Sequence, residues 1–135
     1  MRIHVAGPVI PRGAYQEVPT AGRIARVYEQ LSERLGNSHE LNMPFRQPEI
    51  DYLTEKELTE FVRMSIRAAD LVVSIYAGDA GTIAETTVAA MESKPVLLFP
   101  VVKHVTRIVA GFPTVRIVDS VEMLVKLAGR GIAER

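Results

Sequence analysis

The run Gly78-Asp79-Ala80-Gly81-Thr82-Ile83-Ala84-Glu85 places two carboxylates six residues apart, in a glycine-containing turn that leads into a small-residue helix. A carboxylate pair suits glycosidic cleavage, in which one group attacks or stabilises the sugar and the other handles protons or orients the substrate. Gly78 and Gly81 permit a close approach of backbone to ligand. Free N–H groups at a helix start favour an anion or a carboxylate. Glu85 falls one turn inside a helix expected to open at Thr82, so its side chain stays near that opening. Plainer readings stand beside these. Thr82 and Glu85 have the spacing of a capping box, with Thr82 as N-cap and Glu85 at N3. That role competes for the oxygens a nucleophile needs. Asp79 in such a turn is also ordinary turn chemistry. Neither a Walker loop nor a Gly-x-Gly-x-x-Gly dinucleotide pattern is present.

Other polar residues are candidates of a second kind. Gly7-Pro8-Val9-Ile10-Pro11-Arg12-Gly13 leaves a first strand. Arg12 can pair with a phosphate or carboxylate, although an arginine in a polar loop is more often solvated. Tyr15 can line a pocket. His4 alternates with Ile3 and Val5 and reads as a satisfied interior histidine rather than a base. Asp70 precedes the third strand, at the sheet end opposite a pocket, and reads as a boundary hydrogen-bonding group. The three histidines share no metal-ligand spacing, and the absence of cysteine removes disulfides, thiolate ligands and cysteine nucleophiles.

These residues need a scaffold, and the periodicity supplies one. Ile3 to Ala6 is a short strand stopped by Gly7-Pro8, and residues 8–19 form a proline-rich loop. From Thr20 the residues Ile24, Val27, Tyr28, Leu31 and Leu35 recur at helical spacing, with Gly36 as C-cap. His39 to Asn42 is a thin second strand, followed by a polar loop to Tyr52. Thr54 and Glu57 announce a capping box, with Leu53 and Leu58 placed as a hydrophobic staple. The helix carries Leu58, Phe61, Val62, Ile66 and Ala69 as its apolar stripe.

Leu71 to Tyr76 is a strand buried on both faces. A helix from Thr82 to Glu92, a strand Val96 to Phe99, an aperiodic stretch and a strand Val115 to Val118 follow. Asp119 or Ser120 then caps a helix bearing Val121, Leu124, Val125 and Leu127. This is the rhythm of a single α/β domain over 1–135, a three-layer sandwich on a parallel five-stranded sheet. The expected strand order is the flavodoxin-like 2-1-3-4-5, which puts ligands beyond the carboxyl ends of the strands.

Composition narrows the function classes. Sixteen basic and sixteen acidic residues cancel, so nothing calls for a nucleic-acid polymer or an anionic membrane as partner. No apolar run approaches a membrane span, and residues 1–10 do not form a secretory signal. A cytoplasmic protein is the expectation.

The segments HVAGPVIPRGAY and IRAADLVVSIYAGDAGTIAETTVAAMESKPVLLF resemble the nucleoside 2-deoxyribosyltransferase family and its nucleotide N-glycosidase relatives. The likeness covers most of residues 1–100. It implies a flavodoxin-like domain that cleaves or exchanges the bond between base and deoxyribose. It implies Glu85 as the nucleophile that forms a glycosyl-enzyme intermediate, with Asp79 binding the sugar or nucleotide end. Substrate contacts are expected from Gly7, Pro8, Arg12, Tyr15, Gly78, Gly81 and Thr82. The loop from Gly7 to Tyr15 would close over a small-molecule nucleoside or 5′-monophosphate. No metal or other cofactor is expected, since a carboxylate stabilises an oxocarbenium ion directly. A homo-oligomer, most simply a dimer, is implied as well.

The chain departs from the family pattern at three places. Val62 stands where an aspartate commonly engages the base. Thr86-Thr87 replaces a glycine after the glutamate, and Ile3 and His4 stand near a missing first-strand tyrosine. These departures motivate a rival reading, a non-catalytic nucleotide-binding or interaction module. GDAGTIAE is also similar to the Gly-Gly-x-Gly-Thr-x-x-Glu signature of phosphoribohydrolases acting on cytokinin nucleotides. Their upstream glycine-rich loop has no counterpart here, because no glycine lies between Gly36 and Gly78.

Overall fold

The structure, a computed structural model, describes residues 1–8, 19–44 and 47–130. Arg12 and Tyr15, with most of the first loop, lie outside the described residues. The chain runs β1 (Arg2–Ala6), α1 (Pro19–Leu35), β2 (Glu40–Asn42), a 3₁₀ helix (Pro48–Tyr52), α2 (Glu55–Ala68) and β3 (Leu71–Tyr76). It continues through α3 (Ala80–Met91), β4 (Val96–Pro100), α4 (Arg107–Ala110), β5 (Val115–Ile117) and α5 (Val121–Arg130). The five strands form one sheet in the order β2-β1-β3-β4-β5, every neighbouring pair parallel. This is the expected order. Each β-α-β connection carries a helix because parallel strands need a long crossover.

All six residues of β3 are buried, which explains the unbroken apolar run in the sequence. Alternation along the strands sorts side chains onto two faces. Ile3, Val5, Val73, Ile75, Leu97 and Phe99 meet α1 and α5 through Ile24, Val27, Leu31, Leu35, Leu124 and Ala128. The opposite face packs Val72 and Val96 against Ile66, Ala69 and Ala89 of the α2/α3 side. His4 and Ser74 are in register with that second face, since His4 pairs with Val72 and with Asn42 of β2.

Local signals read from the sequence recur in the structure. Thr54 and Glu57 form a complete capping box at the start of α2. Ser120 Oγ, not Asp119, accepts from the Met123 N–H at the start of α5. Asp70 takes the boundary role: its Oδ2 accepts from the Arg2 N–H at 2.8 Å, and its own N–H donates to Arg2 C=O at 2.8 Å.

Three expectations are corrected. The stretch after β4 contains the single-turn helix α4, whose Val109 packs under Tyr76 and Leu98. One buried contact suffices for so short an element, so no helical periodicity marks it. The loop before Tyr52 holds a 3₁₀ helix with proline in its first turn. Most consequentially, α3 begins at Ala80 rather than Thr82.

Candidate active site

The third strand ends at Tyr76, and the chain turns at Gly78 with φ of +80°, a conformation costly for any residue with a Cβ. That turn presents Asp79 as the N-cap of α3. Its Oδ2 accepts from the Thr82 N–H at 3.1 Å and from the Thr82 hydroxyl at 2.9 Å. Ile83 N–H donates to Asp79 C=O at 3.1 Å, the first helical bond. The alternative with Thr82 as cap and Glu85 at N3 is therefore overturned. Asp79-x-x-Thr82 and Thr82-x-x-Glu85 have the same spacing, and an aspartate at the turn caps as well as a threonine or better. Glu85 is pushed into the second turn of the helix, away from the unpaired amides.

Glu85 points instead toward the sheet. Its Oε1 lies 3.0 Å from His4 Nε2, with the Glu85 side chain 19 % exposed and the His4 side chain 0 %. The other imidazole nitrogen, Nδ1, lies 2.7 Å from Ser65 Oγ on α2. Ser65 Oγ also accepts from Asn42 Nδ2 on β2, and Gln47 Nε2 donates to Asn42 Oδ1 at 3.0 Å. Sequence reading placed His4 as a satisfied interior histidine, and both of its nitrogens are indeed satisfied. It did not connect the ring to Glu85, nor single out Ser65, Asn42 or Gln47. The available signal was a polar residue at an inward strand position, which must find hydrogen-bond partners.

A second polar contact anchors α3 to the sheet just past Glu85. Thr86 Oγ1 donates to Thr82 C=O at 2.7 Å, so the 2.8 Å contact with Ser74 is one that Thr86 accepts. Both residues are buried. Thr86 thus packs on β3 through its hydroxyl.

Between α2 and α3 opens a cavity of about 370 Å³, within the range of small-molecule sites. Glu85, Asp79, Gly81 and Gly7 form its rim, while Leu58, Val62, Ile50 and Val88 give it apolar walls. Val62, expected as a core residue, is partly buried and serves both the core and this wall. Arg63 also lines the cavity and pairs with Glu60 at 3.2 Å. Asp79 Oδ1 is buried with no hydrogen-bond partner among the described residues.

The remaining expected residues divide by position. Thr82 is fully buried with its N–H and hydroxyl both committed to Asp79, so it orients that carboxylate. A Cβ at Gly81 would meet only Asp79 Oδ2 at 3.6 Å, so the protein itself does not demand glycine there. Gly7 does face such a demand, because a Cβ would overlap Tyr28 Oη. The Tyr28 hydroxyl donates to Pro8 C=O at 2.9 Å and ties down the start of the first loop.

No protein-family model matches the chain, and no curated protein matches it. Solved structures do. The 2-deoxyribosyltransferase of Bacillus psychrosaccharolyticus superposes with a TM-score of 0.63 at 17 % identity, covering 99 % of this chain and 95 % of that one. The CMP N-glycosidase of Clostridium botulinum superposes with a TM-score of 0.61 at 15 % identity, covering 97 % of this chain and all of that one. The chain has the fold of these two enzymes over nearly its whole length. Among the described residues, no helix is long and apolar enough to cross a membrane.

Proposed function

We propose that this protein cleaves or exchanges the N-glycosidic bond of a (deoxy)nucleoside, with Glu85 as the nucleophile. One observation carries the reading. Asp79 takes over the helix cap, so Glu85 reaches the cavity with Oε1 on His4 and with Oε2 free of hydrogen bonds among the described residues. The carboxylate attacks the anomeric carbon, the C1′–N bond breaks, and its electron pair leaves with the base. Water or an incoming base then attacks C1′, the C1′–O bond to Glu85 breaks, and the carboxylate is restored while the attacking group loses its proton. The fold shared with a deoxyribosyltransferase and a CMP N-glycosidase supports this class of reaction.

Asp79 borders the cavity, and its Oδ1, buried and without a partner among the described residues, reaches a sugar hydroxyl by a turn of the side chain. A phosphate beside that carboxylate would meet like-charge repulsion, so a nucleoside is favoured over its 5′-monophosphate. Val62 cannot protonate a leaving base. The neighbouring Arg63 lines the same cavity, and its guanidinium, paired with Glu60, has further N–H groups that can donate to a base carbonyl as negative charge develops there.

A screen of nucleosides and 5′-monophosphates for released base, with and without an acceptor base, tests the proposal. Release from nucleosides, lost in Glu85→Ala, is the expected result. A preference for 5′-monophosphates would overturn the nucleoside preference and leave the N-glycosidic reaction class standing, as in the CMP N-glycosidase that shares the fold. The valine at position 62 favours the second reading, a nucleotide-binding module without turnover. Calorimetric titration showing tight binding with no released base would establish that module instead.

A further inference from the structure

The carboxylate lies at the end of a chain of hydrogen bonds that runs from Gln47 through Asn42, Ser65 and His4. We propose that His4 is the positioning residue of Glu85: a neutral imidazole whose Nε2–H donates to Oε1, its tautomer set from behind by Ser65, Asn42 and Gln47. The inference rests on the reading of Glu85 as nucleophile.

The directions follow from donor and acceptor inventories. The Gln47 amide donates to Asn42 Oδ1, and the Asn42 amide donates to Ser65 Oγ. Ser65 Oγ, already accepting, has its own proton for the 2.7 Å contact to His4 Nδ1. In the proposed arrangement Ser65 gives that proton to Nδ1, and the ring proton then sits on Nε2, facing Glu85 Oε1 at 3.0 Å. Each link donates toward the carboxylate, and bonds so aligned polarise one another. The opposite tautomer would set a nitrogen lone pair against a carboxylate oxygen. An imidazolium would make Ser65 Oγ accept a second bond, from Nδ1–H, and would turn the hydroxyl proton away from the acceptor it has here.

Charged groups stand on two sides of the ring. On the cavity side stand Glu85, Asp79 and Arg63. Behind the ring, a small cavity of about 80 Å³ is bordered by Arg2 and Glu40, whose side chains neutralise one another at 3.0 Å. His4 has no exposed surface, so its ring cannot swing away. A glutamate tethered at Oε1 by a fixed donor presents Oε2 in one orientation, which is what attack on C1′ at close range requires.

Glutamine can reach as far as imidazole and presents a neutral N–H, whereas leucine fills similar space without one. His4→Leu is expected to lower kcat by about 10- to 100-fold with KM nearly unchanged, the range typical when an orienting partner is lost. His4→Gln is expected to recover kcat to within about threefold of the original, since the donor is restored. Nitrogen-15 spectra of the histidine rings, with His4 assigned from the His4→Gln variant, should show the neutral Nε2–H form near neutral pH. Ser65→Ala should turn that signal into a tautomer mixture while leaving the fold intact.

An imidazolium or an Nδ1–H form in the unmutated protein would overturn the inference, and so would His4→Leu turning over normally or His4→Gln failing as badly as His4→Leu. Should the unmutated protein release no base from any nucleoside, the proposed reaction falls. The ring-nitrogen shifts still decide the proton arrangement in that case. If His4→Leu does not fold, Ser65→Ala supplies both the kinetic and the spectroscopic comparison.

Discussion

The two faces of the sheet are built from the same strands and do opposite things. Toward α1 and α5, buried Ile3, Val5, Val73, Ile75 and Leu97 meet a mainly apolar helical surface, in which the Tyr28 hydroxyl bonds to Pro8 C=O. Toward α2 and α3, the same strands contribute His4 and Ser74, both fully buried and both hydrogen-bonded to helix side chains. Burying apolar area stabilises without regard to direction. Buried polar groups are costly unless every partner is in place, and that demand is what orients them. One face therefore holds the molecule together, while the other fixes the position of a carboxylate beside a cavity.

Substitutions on the two faces should separate stability from turnover. The largest effect is expected at Glu85. Glu85→Ala should lower kcat by at least about 1,000-fold, as removal of a covalent nucleophile does, and should cost about 1–3 kcal/mol of stability because the buried His4 Nε2 loses its partner. Retained turnover in a correctly folded variant would break the contrast. On the other face, Leu31 is fully buried, and Leu31→Ala should cost about 2–5 kcal/mol of stability. Denaturant titration measures that loss, while turnover per folded molecule should persist under mild conditions.

Gly7 sits where the two roles meet. Gly7→Ala forces a Cβ onto Tyr28 Oη and should destabilise by about 1–3 kcal/mol, as overpacking does. Adding Tyr28→Phe removes the overlapping oxygen and should recover part of that loss, although the hydrogen bond to Pro8 goes with it. Thermal melts of the single and double variants check this, and an additive double variant would refute the steric account.

The smallest effect concerns the start of α2, far from either contrast. Backbone and side-chain hydrogen bonds from Thr54 lower the pKa of Glu57 below its ordinary value. A carboxyl with a depressed folded pKa adds stability above its unfolded pKa and loses it as pH falls through the folded one. Thr54→Ala removes the hydroxyl but keeps the backbone N–H, the larger cause, so the Glu57 titration, followed by NMR, should move only part of the way back toward the ordinary carboxylate range. An unchanged titration would show that the backbone N–H alone holds the carboxyl down and that the hydroxyl contributes nothing.

Much of the scaffold was legible because it is written in short periods. Leu71 to Tyr76 declares a doubly covered strand, Ile24 to Leu35 an amphipathic helix, and Thr54 with Glu57 a helix start. Each rests on residues within a turn or two of one another. The short helix at Arg107–Ala110 was not legible, since a single buried valine carries no period.

At the site, amino-acid order alone singled out the glycine-framed acidic run and Glu85 within it, but left two helix caps of equal spacing open. Folding chose between them, because the turn at Gly78 after β3 delivers Asp79, not Thr82, to the first unpaired amides. Only the parallel register of β1 with β2 and β3 could bring His4, Asn42, Ser65 and Glu85 into one chain of bonds. Local spacing governs backbone periodicity and capping, whereas contacts between residues far apart in the chain depend on which strands lie side by side and which face each residue occupies.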